Sequence, residues 1–369
     1  MKKRRNLALL AAAAMMVSVL GGCGGSGSAK ETSDGGAANA ENSSAAGEDA
    51  EGTTDVSGEY KIVIATSAYD PEITPAFNNW GPGIVKFKET AEELSNGRIE
   101  VEIFWNSTLG NDSEMFRMMM DGEVDINFGS GFSTVDPRFS WKLLPFLFTS
   151  DEQLKEKFAS KGSPGFELNS KIYDENGIKL LSQNPGVQQG FMSKKGLVKR
   201  PEDLKGMTFR AYEDSVVTTF FNGLTNTAVI PYNELYTSMQ NGTVDVATLH
   251  IPAFVGDKFY EICDYYTFLP WQYTSYALMM NGDRFASLPA DIRDILVEAA
   301  WACSDESWRK LQEFDETKAD ELASLGVETY TPTDEEMQLW VDYSNKLSDK
   351  WKELIGAELY DEVMKIMAE

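Results

Sequence analysis

Arg210 has unusual company. It sits in KGMTFRAYED (Lys205 to Asp214), with β-formers before it and Tyr212, Glu213 and Asp214 just after. The chain holds 33 Lys and Arg against 58 Asp and Glu, a net charge of −25, so a guanidinium at the end of an apolar run is conspicuous. Its planar fork of donors matches a carboxylate bidentately, which Lys does not reproduce. Two readings fit: Arg210 anchors an acidic ligand, or it forms an ordinary salt bridge with Glu213 or Asp214. Rings are near at hand. Trp80, Trp105, Tyr212, Tyr232, Trp271 and Tyr273 all fall near the ends of strand-like runs, and ligand pockets are largely apolar with a few placed polar groups.

Other chemistries lack their parts. General acid–base or nucleophilic catalysis needs a positioned pair or triad, and the sequence has no G-x-S-x-G, H-E-x-x-H, P-loop or reactive-cysteine motif. One histidine, His250, and no C-x-x-C pair leave out the usual zinc spacings, and no cofactor is expected. The acidic balance, without a basic stripe, excludes nucleic acid as a partner. Beyond Cys23, only Cys263 and Cys303 remain. A bridge between them is open to an exported protein, and two buried free thiols are the plainer reading.

An internal echo shows what positions these residues. SEMFRMMMDGEVDI (Ser113 to Ile126) and NELYTSMQNGTVDV (Asn233 to Val246) repeat Glu, Met, Gly, Val and Asp in register. Each reads as a polar cap (Asp112 or Ser113; Asn233), an amphipathic helix, a closing glycine at Gly122 or Gly242, and a short strand. The Met115, Met118, Met119 stripe is then core. YKIVIA from Tyr60 and RIEVEIFW from Arg98 read as strands around a helix over Gly83 to Leu94, and GMTFRA and NTAVIPY repeat the alternation. After Leu288-Pro289 the chain turns mainly helical. The body, about 310 residues from Glu59, is large enough for two similar α/β lobes.

The start of the chain sets the compartment. Lys2 to Arg5, an apolar stretch to Leu20 and small residues before Cys23 form a secretory-signal pattern too short for a membrane span. From Gly24 to Gly58 the sequence is Gly, Ser, Ala, Thr and acid, a disordered tether with a reach on the order of 30 Å.

These residues resemble two known patterns. LGGC (Leu20 to Cys23) resembles the lipobox of bacterial lipoproteins, which implies cleavage after residue 22, lipid on Cys23 and an extracytoplasmic, membrane-anchored protein. The body resembles the solute-binding proteins of TRAP transporters, the DctP-type family. The resemblance is carried by Gly97 to Val101, Leu109-Gly110, Gly122 to Asp125, LPFLF (Leu144 to Phe148), PEDLKG with its following arginine (Pro201 to Arg210), Glu234 to Asp245, and NGDRFASLPADIR (Asn281 to Arg293).

The family implies a two-lobed, type II periplasmic-binding-protein-like α/β fold with crossing hinge strands and a long helix. Lobe I is expected over 59–186 with about 275–320, and lobe II over 187–274 with about 321–369. It also implies a monomer that captures a small organic acid and delivers it to the small and large integral membrane subunits of a TRAP transporter. A same-fold protein feeding an ATP-driven importer or a membrane sensor is the alternative.

By that resemblance Arg210 anchors the ligand carboxylate, and Tyr232 is an aromatic wall of the cleft, or plain core. Gln189 stands near where many members have a second arginine, and Leu249, beside His250, stands where many have asparagine. Both departures point away from dicarboxylates and sugar acids, toward a monocarboxylate with an apolar or aromatic body. Ser67, Asn111 and Ser130 match small polar contacts, with capping or turn formation as the alternative. Tyr212 and Trp271 complete the expected ligand set. If His250 reaches the cleft as an ordinary imidazole, binding should vary between pH 5 and 8.

Overall fold

Alternating residues in Tyr60–Thr66 form the first strand, β1, with Ile62 and Ile64 fully buried, and helix α1 (Trp80–Leu94) follows it and packs on the next strand. The computed structural model describes residues 58–74, 78–315 and 317–369. Cys23 and the tether lie outside them, apart from Gly58. After α1 come β2 (Ile99–Phe104), α2 (Asp112–Asp121) and β3 (Ile126–Gly129). A 3-10 turn at Pro137–Leu143 and helices α3 (Asp151–Lys157) and α4 (Pro164–Glu175) lead to β4 (Ile178–Gln188).

The second series opens with β5 (Gly190–Ser193), β6 (Thr208–Ala211) and α5 (Ser215–Asn222). It continues through β7 (Asn226–Val229), α6 (Tyr232–Gln240), β8 (Val246–Leu249) and α7 (Ile251–Gly256). Strands β9 (Tyr265–Thr267) and β10 (Tyr273–Asn281) follow, then α8 (Gly282–Ser287) and the 26-residue α9 (Ala290–Asp315). The chain closes with α10 (Lys318–Ser324), β11 (Glu328–Tyr330), α11 (Asp334–Asn345), α12 (Ser348–Ile355) and α13 (Ala357–Ala368).

These strands make two mixed sheets of the same plan. The first runs β2-β1-β3-β10-β4 and the second β11-β9-β5-β8-β6-β7. In each, three strands are parallel and a returning strand, β10 or β5, lies antiparallel beside the third. The sequence echo marks equivalent parts. Gly122 and Gly242 end α2 and the segment after α6 in the left-handed conformation (φ 78° and 74°), which glycine adopts without strain. Asp125 then takes the amide of Val63 (2.8 Å) and pairs with Arg284 (2.8 Å), while Asp245 takes the amide of Thr208 (2.9 Å) and pairs with Lys195 (2.9 Å). The helix-end carbonyls are satisfied in parallel too. Asn281 donates to Met119 and Met120, and Lys194 to Met239 and Gln240.

The caps fall earlier than the sequence pattern places them. Asn111, not Asp112 or Ser113, caps α2 in a reciprocal box with Glu114, which leaves Asp112 as the first helical residue. Helix α6 starts at Tyr232 behind Pro231, not at Asn233. Met115 and Met119 are fully buried and Met118 partly so, as a core stripe requires.

Long strand β4 pairs antiparallel with β10 and runs toward the second sheet. It carries Pro185 and Gly186, which ordinarily interrupt a strand. Here the register shifts between Ser275 and Ala277, so that Asn184 and Pro185 face the single residue Tyr276. Proline fits at such a bulge because no ladder hydrogen bond is asked of it. Helix α9 packs along α1 and β4; a Cβ on Gly83 would come within 2.1 Å of Ser307 Oγ, so the close approach of α1 requires glycine there. Cys263 and Cys303 are both buried free thiols.

Candidate functional site

A cavity opens at the carboxyl ends of the parallel strands of both sheets, the side on which open α/β sheets bind ligands. Its lining follows from the connections. Ser67, Ser130, Tyr212 and His250 are the first residues past β1, β3, β6 and β8, while Trp80, Asp112 and Tyr232 open α1, α2 and α6. Several helix amino-termini therefore point their amides toward it, which favours an anion.

Arg210 lies in β6, where alternation sends Phe209 to the core, stacked 3.6 Å from Phe221, and leaves Arg210 on the other face. It is 4% exposed and lines the cavity. Its Nε donates to the carbonyl of Ile230 (2.8 Å) and its guanidinium stands 5.6 Å from the Tyr212 ring centre. Among the described residues it has no ion pair. Asp214 instead caps α5, accepting from Val216 and Val217 and from Ser140, and Glu213 lines the cavity without pairing to Arg210. The salt-bridge alternative is thereby overturned: the fork is left for something else. Burial pushes the guanidinium pKa down to about 10, with Tyr212, Tyr232, Asp112 and Tyr276 opposing, so it stays charged at neutral pH.

Of the other expected residues, Tyr232, Gln189, His250, Leu249, Tyr212, Ser67 and Ser130 also line the cavity. Two lie elsewhere. Asn111 is spent on capping α2, and Trp271 is buried in the second core between Phe220 and Phe221. Trp105 and Tyr273 are likewise outside the lining, whereas Trp80 is in it. The Tyr232 hydroxyl donates to Asp257 and meets the Tyr69 hydroxyl at 2.8 Å, and Tyr69 also donates to Asp257 (2.7 Å). His250 caps α7, its Nδ1 accepting from the Ala253 amide (3.2 Å), and sits edge-on to Trp80 at 5.2 Å. Burial lowers its pKa to about 4. It reaches the cavity as a neutral group, so the expected pH 5–8 dependence is corrected.

Sequence reasoning missed Tyr69, Phe132, Tyr276 and Asp112 as lining residues. Tyr276 is the residue at the bulge in β10, and it stacks on Trp80 (4.3 Å, 15°), whose indole N–H donates to the Pro185 carbonyl (3.3 Å). Alternation cannot place a residue at a bulge. Asp112 is legible only once Asn111 is known to be the cap.

The profile of the DctP family, bacterial extracellular solute-binding protein family 7, matches residues 72–354. The chain belongs to this family. The DctP-family protein is thus a TRAP-type, extracytoplasmic solute-binding protein and not an enzyme. The C4-dicarboxylate-binding protein DctB of Bacillus subtilis (strain 168) is 26% identical over 313 residues, covering 83% of this chain and 87% of that protein. A solved structure of the sugar-acid-binding protein DctPAm from Advenella mimigardefordensis with galactonate superposes at a TM-score of 0.77. It is 22% identical and covers 85% of this chain and 99% of that one. A TRAP solute-binding protein from Desulfovibrio salexigens with orotic acid gives 0.76 at 21% identity, covering 84% and 99%. These matches establish the two-lobed, type II periplasmic-binding-protein fold.

Proposed function

We propose that this DctP-family protein captures a small organic acid, with Arg210 as the carboxylate anchor, and delivers it to the integral membrane subunits of a TRAP transporter. The observation that carries this reading is the buried, charged and unpaired guanidinium at the cavity wall. A buried cation without a counter-ion is unfavourable, and a bidentate carboxylate relieves it. The ligand is a monocarboxylate with an apolar or aromatic body: Gln189 offers no second cation and Leu249 no amide at the positions noted above, and Trp80, Tyr212, Tyr232 and Tyr276 supply ring surface.

The binding residues are Arg210, Tyr232, Tyr212, Gln189, Leu249, His250, Ser67 and Ser130. The cavity lies between lobe I (59–186 with about 275–320) and lobe II (187–274 with about 321–369). With the signal peptide removed before Cys23, lipid on that cysteine holds the protein at the outer face of the membrane.

The test is calorimetric titration of the chain and its Arg210→Ala variant with mono- and dicarboxylates. Removing one member of a buried charge pair costs about 2–5 kcal/mol, so the variant is expected to lose roughly 30-fold or more in affinity for a monocarboxylate. Equal binding by parent and variant would refute the anchor. Preference for dicarboxylates would refute the ligand class alone.

A further inference from the structure

The cavity holds charge of both signs. Asp112, the first residue of α2, lines it on the side of the first sheet, and its carboxylate makes no ion pair among the described residues. Burial raises its pKa, opposed by neighbouring Ser67 and, at longer range, by Arg210. A second group has the same need. Gln189 is 5% exposed, turns its Nε2 to Thr274 and leaves its Oε1 buried without a partner. The lining therefore presents one fixed cation, the Asp112 carboxylate without an ion-pair partner and one amide oxygen, Gln189 Oε1, without a donor.

A ligand carboxylate answers the cation and leaves the acceptors unanswered. A second carboxylate would meet Asp112 and Glu213, both like-charged. Only a ligand with its own donor, and best a positive one, satisfies the remaining groups, because a buried acceptor left without a donor is costly and a half-buried carboxylate in a cavity is best matched by a cation.

We propose that the ligand is a zwitterion: its carboxylate is taken by Arg210 and its ammonium by Asp112, with Gln189 Oε1 accepting from the same end or a neighbouring N–H. The stacked pair of Trp80 and Tyr276 borders the apolar part. This deepens the proposed function and rests on its carboxylate anchor.

The test uses calorimetric titration of the full chain, Asp112→Asn and Ser67→Ala with matched acids that differ only in the amine. The pairs are phenylalanine and 3-phenylpropionate, leucine and 4-methylpentanoate, and 5-aminopentanoate and pentanoate. The parent is expected to bind at least one amino acid roughly tenfold or more tightly than its deaminated partner, about 1.4 kcal/mol. Asp112→Asn should reduce that preference to within about threefold, chiefly by weakening the amino acid, and Ser67→Ala should move it the same way. Asn111, not residue 112, caps the helix, so a melting curve near that of the parent is expected for Asp112→Asn.

Deaminated acids binding as tightly as their amino partners, or a preference that survives Asp112→Asn, would overturn the zwitterion. If the deaminated acids bind and Arg210→Ala abolishes them, the anchor stands without it. If no member of any pair binds, both readings fall.

Discussion

Val63 and Thr208 hold the same place in their sheets, each exchanging hydrogen bonds with the aspartate that ends a helix–turn unit, Asp125 or Asp245. From that shared frame the two halves diverge toward the cavity. Two residues on, the first sheet has Ala65 and the second Arg210. Past the strand ends, Ser67 stands against Tyr212 and Ser130 against His250, and at the helix starts Asp112 stands against Tyr232. The first half offers small polar groups and an acid at these positions, the second a cation and rings. The frame is built at one end of the strands and the recognition at the other, so the same scaffold carries unlike chemistry.

That comparison can be broken at the frame first. Asp125→Ala and Asp245→Ala each strand a backbone amide and a cation, and each should lower stability by about 1–3 kcal/mol, read as urea midpoints at unchanged slope. A large loss for one and none for the other would mean that the halves match in geometry but not in energetics.

A second, pH-dependent contrast lies between His250 and its counterpart Ser130. With a folded pKa of about 4 against about 6.5 unfolded, the unfolded chain binds more protons between those values. Stability attributable to His250 is therefore complete above about pH 6.5 and lost as pH falls toward 4. His250→Ser should flatten that part of the curve by roughly 1–3 kcal/mol. Binding should stay level from pH 7 to 8, where the imidazole is neutral in both free and bound protein. An unchanged acid limb in the variant would assign it to other groups.

The smallest effect is expected at the Tyr232 hydroxyl. Tyr69 keeps its own bond to Asp257 when that hydroxyl is removed, so Tyr232→Phe should cost no more than about 1 kcal/mol. A greater loss in ligand affinity than in melting temperature would place the hydroxyl in recognition.

Much of the frame was legible because its signals are local. The glycine after each amphipathic stretch, the Val-Asp that follows, and the alternation of YKIVIA all act within a few residues. Arg210 stood out through charge in an apolar run. What escaped depends on partners far away in sequence. Strand β4 buries Ser182, Gln183 and Asn184 and includes a proline, so neither periodicity nor composition marks it. Its Gln183 is satisfied by Ser275 and Tyr276, and its Asn184 carbonyl by Ser275. Trp271 and Tyr273, singled out as aromatic candidates, turned out to pack inward, since proximity to a strand end does not fix which face a ring takes.

The stacking of Trp80 on Tyr276 at the bulge has an optical consequence. Trp80 is the one tryptophan among the described lining residues, and its indole faces a phenol, an imidazole and the open cavity. Any molecule that fills the space alters the polarity around that chromophore and the exchange of excitation between the two rings. Occupancy is thus written into the ultraviolet emission of the unlabelled chain, and arrival of cargo can be followed in real time without a dye.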